Sequence, residues 1–248
     1  MSVSLGKIMG IPVSIHYTLW FVFFLIAWSL ASGYMPKEYP GLSAATYWGI
    51  GITSAIILFA SVLLHELSHS YIAKKNGLRI RRIVLFFFGG VSEITEEPRN
   101  ANLKIRMAAA GPLMSFLITA LLGALWFVGK YLHEPIAVTA TLQYGVYINA
   151  VLAVFNLLPA FPVDGGRVLR GSLWKRSGNY LRATMTAGRI SEILSLLMIG
   201  AGLVDVFLGN FVDGIWIVFL GWFIRSGAEM SMKQTILRRH YLTSALKA

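Results

Sequence analysis

Six long apolar blocks constrain this chain more than any other feature. They lie near 15–34, 46–73, 104–128, 136–158, 188–208 and 211–228. Each is long enough, or nearly so, to cross a bilayer, which takes roughly 20 such residues. Of the 248 residues 56% are hydrophobic and only 13% are charged, too little charge to clothe a soluble domain of this size. The expected fold is an all-α polytopic membrane protein: six transmembrane helices in a single domain over 1–248, multi-pass in the cell membrane. The opening "MSVSLGKIMGIPVSIHYTLW" has no charged segment followed directly by a short apolar core and a small-residue cleavage site. No removable signal peptide is read, and the first span stays.

The net charge of +11 is distributed as topology rather than as a nucleic-acid surface. Lys7 precedes the first span. Further Lys and Arg follow the second span (Lys74 to Arg106), the fourth (Arg167 to Arg189) and the sixth (Arg225 to Lys247). Only Lys37 and Lys130 fall on the other side. This positive-inside pattern predicts cytoplasmic N- and C-termini. Contact with anionic lipid absorbs the charge, and no nucleic-acid partner is expected.

Span two runs on through "SHSYIAKKNG", where Lys74 and Lys75 can snorkel and Asn76-Gly77 offers a helix stop. The "RIRRIVLFFFGGVSEITEEP" that follows is too short to cross, and Gly89-Gly90 is a turn signal between two β-prone runs. The expected element is a small re-entrant or interfacial β-hairpin between spans two and three. Backbone of that kind is tolerated at membrane depth only where protein or a wet cavity covers it.

Within span two, "VLLHELSHSY" places His65, Glu66 and His69 among lipid-like side chains. Intramembrane ionisable groups are costly and therefore functional by default. H-E-x-x-H on a helix puts the two histidines on one face, able to aim a nitrogen each at one metal ion. Glu66 beside them can take a proton from a water at that ion. His69 lies eight residues before Gly77, about 12 Å at ~1.5 Å per residue, so the pair sits below the cytoplasmic face. The chain has no cysteine, which leaves His and carboxylate as the donors for a transition metal.

A third ligand is expected at the same depth. In "NLLPAFPVDGGR" Asn156 ends the fourth span, Pro159 and Pro162 break the helix, and Asp164 precedes Gly165-Gly166. Spacing alone leaves Asp164 open between ligand and turn residue. His16, Glu192, His133 and His240 are weaker candidates. The small residues of "AAAGPLMS" in span three, Ala108 to Gly111, are read as close helix packing.

"HELSH" in one span and "NLLPAFPVDGG" after a later one together resemble the site-2 protease family of intramembrane zinc metalloproteases. The likeness runs from about residue 7 to 229 and takes in "IPVSIH", "FFFGGV" and "AAAGPLMS". It implies one Zn2+ per chain, with His65, His69 and Asp164 as ligands, and Glu66 as catalytic acid/base. It also implies that Asn156 binds substrate backbone or stabilises an oxyanion. Where many relatives have an Asn soon after the Gly-Pro of span three, this chain has Met114-Ser115. Neither a PDZ insertion nor a CBS pair is read within the chain.

The implied substrate is a transmembrane segment of another membrane protein, unwound and joined as a strand to the hairpin around Gly89 and Gly90. Two other readings stand beside this one. A different membrane zincin would cut cytosol-facing peptides, but its third ligand is usually a downstream Glu. A metal transporter would need polar residues through several spans, whereas here they gather at one depth.

Overall fold

The structure is a computed structural model and describes residues 2–87 and 89–245, with side chains described as far as 237. Phe88 of the "FFFGGV" stretch and Lys247 lie outside the described residues, as do the side chains of Arg238, Arg239 and His240.

Among the described residues, six helices are long and apolar enough to cross a membrane: Thr18–Glu38, Ala44–Lys75, Ala101–Tyr131, Ile136–Asn156, Tyr180–Phe207 and Phe211–Leu237. The first is α1 (Thr18–Ser29), continued by a π turn (Leu30–Tyr34) and α2 (Met35–Glu38). The others are α3 (Ala44–Lys75), α4 (Ala101–Tyr131), α5 (Ile136–Asn156), α7 (Tyr180–Phe207) and α8 (Phe211–Ala245). Spans three and five start earlier than their apolar windows, because side-chain caps carry the helix out past the hydrocarbon. Asn100 Oδ1 accepts from the Leu103 N–H at 2.8 Å and Asn179 Oδ1 from the Arg182 N–H at 3.0 Å.

Two further elements escaped the sequence reading. Strands β1 (Ser2–Ile8) and β2 (Ile11–His16) form an antiparallel hairpin, and α6 (Asp164–Ser177) is a short amphipathic helix in the stretch read as cytoplasmic. The expected hairpin is present as β3 (Ile80–Phe86) and β4 (Gly89–Ile94). It belongs to a larger sheet of order β1-β2-β3-β4, with β2 and β3 parallel and Val13 opposite Ile83.

The chain divides into two compact units, each described in turn: residues 1–97 with 110–154, and residues 98–109 with 155–248. In the first unit the long α3 is the organising element. Ser43 caps its start and Lys74 and Lys75 close its last turn. Its first half packs with the first span; Ile50 and Tyr47 join Leu30, Ala31, Met35 and Ala140 in one buried cluster. Its later half carries the sheet, through Leu67 against Ile11 and Ile83. Lys74 Nζ donates to the Met9 carbonyl at 2.7 Å and ties the helix end to the β1–β2 turn. In that turn both Met9 and Gly10 have positive φ, the geometry of a two-residue hairpin loop.

In the second unit, α7 and α8 form a closely packed helical hairpin. Gly202, Gly214 and Gly221 sit where any Cβ would press into the facing backbone. The segment after α5 folds against this pair. Phe161 is buried with Ala187 and Ala228, and its N–H donates to Ser191 Oγ at 2.9 Å. The Arg170 guanidinium lies 5.2 Å from the Phe161 ring centre and 5.1 Å from that of Tyr180. Gly165 and Gly166 let α6 start against the carbonyls of Leu157, Leu158 and Ala160, where a side chain would collide. The start of α6, with Asp164, is therefore held by buried packing and not by a free turn.

Phe161→Ala removes the ring on which this segment rests. It is expected to destabilise the protein by about 3–5 kcal/mol and lower the midpoint of thermal unfolding in detergent micelles. An unchanged midpoint would mean that the segment is held by other contacts.

Candidate metal centre

His65, Glu66 and His69 occupy consecutive turns of α3, on the part of that helix covered by α4 and β4. The two imidazoles are buried, and their ring centres lie 4.9 Å apart at an interplanar angle of 79°. One donor atom from each of the three side chains lies within 4.8 Å of the other two. The i, i+4 spacing predicts this convergence, and the structure brings these three residues together.

Gly111 of α4 shows where the rings point. A Cβ built on it would stand 2.5 Å from His65 Nε2 and would collide with His69 Nε2. Both Nε2 atoms therefore face the notch left by the missing side chain. On its other side, the His65 ring has Nδ1 2.9 Å from Ser115 Oγ, and Ser115 is buried. A proton on Nδ1 donated to that hydroxyl leaves the Nε2 lone pair directed at the notch, the tautomer a metal ligand needs. Two imidazole donors, an adjoining carboxylate and a side-chain-free notch at Nε2 fit a zinc ion, which takes His and carboxylate ligands.

Glu66 turns toward β4. Its Oε2 accepts from Ser92 Oγ at 2.7 Å, and Ser70 Oγ donates to Ser92 Oγ at 3.0 Å. A Cβ on Gly90 would strike Glu66 Cγ, so the strand lies directly on the glutamate side chain. Gly89, one residue earlier, has φ +117 and opens the strand from the turn.

Asp164 and Asn156 belong to the second unit. Asp164 is buried in the first turn of α6, where the helix N-terminus favours a carboxylate, and its Oδ1 lies 3.5 Å from an Arg167 guanidinium nitrogen. Asn156 is the last residue of α5 and is half-buried.

Ser115, in the Met114-Ser115 pair that stands where many site-2 proteases have an Asn, makes a polar contact to His65 Nδ1. Gly111 reads from sequence as a helix-packing residue. Its close approach is to the two imidazole rings. Ser70 and Ser92 carried no sequence signal, because serines are common and the pairing of β4 with α3 has no local signature.

A model of peptidase family M50 matches residues 53–136 and 130–200. The chain belongs to this family. It is 37% identical over 237 residues to zinc metalloprotease MJ0392 of Methanocaldococcus jannaschii, covering 94% of this chain and 61% of that protein. It is 36% identical over 228 residues to Rip3 of Mycobacterium tuberculosis, covering 92% of this chain and 58% of that protein. The chain thus spans about three fifths of the length of the curated relatives it matches. The solved structure of the site-2 protease from M. jannaschii is similar over 94% of this chain and 95% of that one, with 33% identity and a TM-score of 0.58.

The notch at Gly111 and the hydroxyl of Ser115 give a direct test. Gly111→Ala should abolish zinc retention while far-UV circular dichroism stays helical. Ser115→Ala should weaken zinc binding about tenfold, as loss of a ligand-orienting partner does. Full zinc content in Gly111→Ala, measured by elemental analysis, would contradict the placement of the ion at the two Nε2 atoms.

Proposed function

We propose that this protein is an intramembrane zinc metalloprotease that hydrolyses peptide bonds within or beside transmembrane segments of other membrane proteins. The observation that carries the reading is the convergence of the two buried Nε2 atoms on the Gly111 notch, with Glu66 beside them, in a membrane-spanning helix. Membership of family M50 supports it. One zinc per chain would be held by His65, His69 and, as third ligand, Asp164. When bound, such an ion polarises a carbonyl and lowers the pKa of a water to about 7.

The residues divide the remaining work. Glu66 accepts the proton of the attacking water and returns it to the departing amine, so the carboxylate ends the cycle as it began. Asn156 donates a side-chain N–H to substrate backbone or to the oxyanion, a contact whose loss costs about 3 kcal/mol of transition-state stabilisation. A helical substrate hides its carbonyls in its own hydrogen bonds and must unwind before water reaches them. β4 stands at an edge of the sheet, and an extended substrate segment pairs there by strand addition. Gly89 and Gly90 keep that edge free of side chains near its start. The distribution of Lys and Arg supports cytoplasmic termini, with the centre toward the cytoplasmic side.

Purified protein in detergent, given single-span substrates, should cut within the apolar segment. Glu66→Gln should lower turnover at least a thousandfold with zinc retained, while Asp164→Ala should lower zinc occupancy. Fragment mass spectrometry and elemental analysis read both. Equal cleavage by Glu66→Gln would remove Glu66 as the base, and full zinc in Asp164→Ala would remove Asp164 from the ligand set.

A further inference from the structure

We infer that Ser92 is the residue that aims the Glu66 carboxylate, and that Ser70 fixes the direction of the hydrogen bond by which it does so. The inference rests on the reading of Glu66 as the base and adds what holds that base in its working orientation.

A glutamate has three side-chain torsions, and on a helix flanked by apolar residues little constrains the last of them. Two residues of β4 constrain Glu66. Gly90 of β4 approaches its Cγ so closely that no side chain would fit between, and the built Cβ would lie 3.3 Å from Cδ. Two residues further along the strand, on the same face, Ser92 Oγ reaches Glu66 Oε2 at 2.7 Å and lies 3.4 Å from the Glu66 carbonyl oxygen. A hydroxyl has one proton to give. The shorter contact, to a carboxylate, takes it, because charge-assisted bonds are the stronger ones.

Ser70 makes that choice definite. It is fully buried, one helical turn beyond Glu66, and its Oγ donates to Ser92 Oγ at 3.0 Å. The incoming proton occupies a lone pair of Ser92, and the proton of Ser92 is turned toward Glu66. The three side chains form a directed relay, Ser70 to Ser92 to Glu66, which holds one carboxylate oxygen and leaves the other for chemistry. Because Ser92 belongs to β4, the edge strand proposed to take up substrate and the base that acts on it form one hydrogen-bonded unit. Ser92 is thus a positioning residue that acts through Glu66.

The test is steady-state kinetics of Ser92→Ala, Ser92→Thr, Ser70→Ala and the Ser70→Ala/Ser92→Ala double variant on zinc-loaded protein, with Glu66→Gln alongside. Zinc content and infrared spectra are recorded for each. Ser92→Ala should lower kcat about tenfold or more, since small misplacements of a catalytic group are costly. KM and zinc content should stay unchanged, and the carboxylate stretch that Glu66→Gln removes should move. Ser92→Thr should restore kcat, and Ser70→Ala should have a smaller effect that adds nothing to Ser92→Ala. A kcat for Ser92→Ala within twofold of wild type, with Glu66→Gln inactive, would overturn the positioning role and leave the base intact. An active Glu66→Gln would overturn both. Loss of zinc in Ser92→Ala would assign the hydroxyl to assembly of the metal centre instead.

Discussion

The fold is organised around the cost of keeping two imidazoles and a carboxylate on one apolar helix long enough to cross a membrane. Buried polar groups are stable only when hydrogen-bonded or coordinated. α3 meets this requirement locally, with a partner for each side of the site. Ser115 of α4 satisfies His65 Nδ1, Ser92 of β4 satisfies Glu66, and the Nε2 atoms are left facing a notch that Gly111 keeps open. These neighbours account for the small residues at that point of α4 and for the lie of the sheet against the later half of α3. A larger residue at 111, or an apolar one at 115, would remove a condition on which the polar helix depends.

The sheet has a second role in this arrangement. Its buried face, Ile11, Val13, Ile83 and Leu85, anchors it to α3 near Leu67, while its last strand runs past Glu66. Backbone that would be unstable in lipid is thereby covered on one side by protein. In the second unit, the segment bearing Asp164 is also fixed by packing: Phe161 in its apolar cluster, Ser191 on the Phe161 N–H, Arg170 across two rings. A carboxylate carried on such a segment is pre-set, as the proposed third ligand of a metal site needs to be.

Much of this was legible from residue order. Apolar length alone yields six spans, since hydrocarbon thickness sets helix length whatever the neighbours. The i, i+4 rule yields the histidine pair, and Gly89-Gly90 between β-prone runs yields the β3–β4 hairpin. The β1–β2 hairpin was missed because its turn is Met9-Gly10 and not the Asn-Gly or Asp-Gly that advertises such turns. Its second strand, β2, is also paired with β3, 70 residues away in sequence, a pairing with no local trace. α6 was missed because its first two glycines, Gly165 and Gly166, read as a loop, whereas they let the helix start against the carbonyls of residues 157, 158 and 160. The serines around the centre were invisible for the same reason: their roles come from contacts between distant elements.

The central prediction is that two imidazoles converge through Nε2 on one zinc ion inside the membrane domain. X-ray absorption at the zinc edge, on purified protein in detergent, reads that coordination directly. Two imidazole scatterers with light oxygen donors, all at about 2.0–2.1 Å, are expected, with loss of one imidazole in His65→Ala. A shell of oxygens without imidazole scattering, or a spectrum unchanged by His65→Ala, would contradict it.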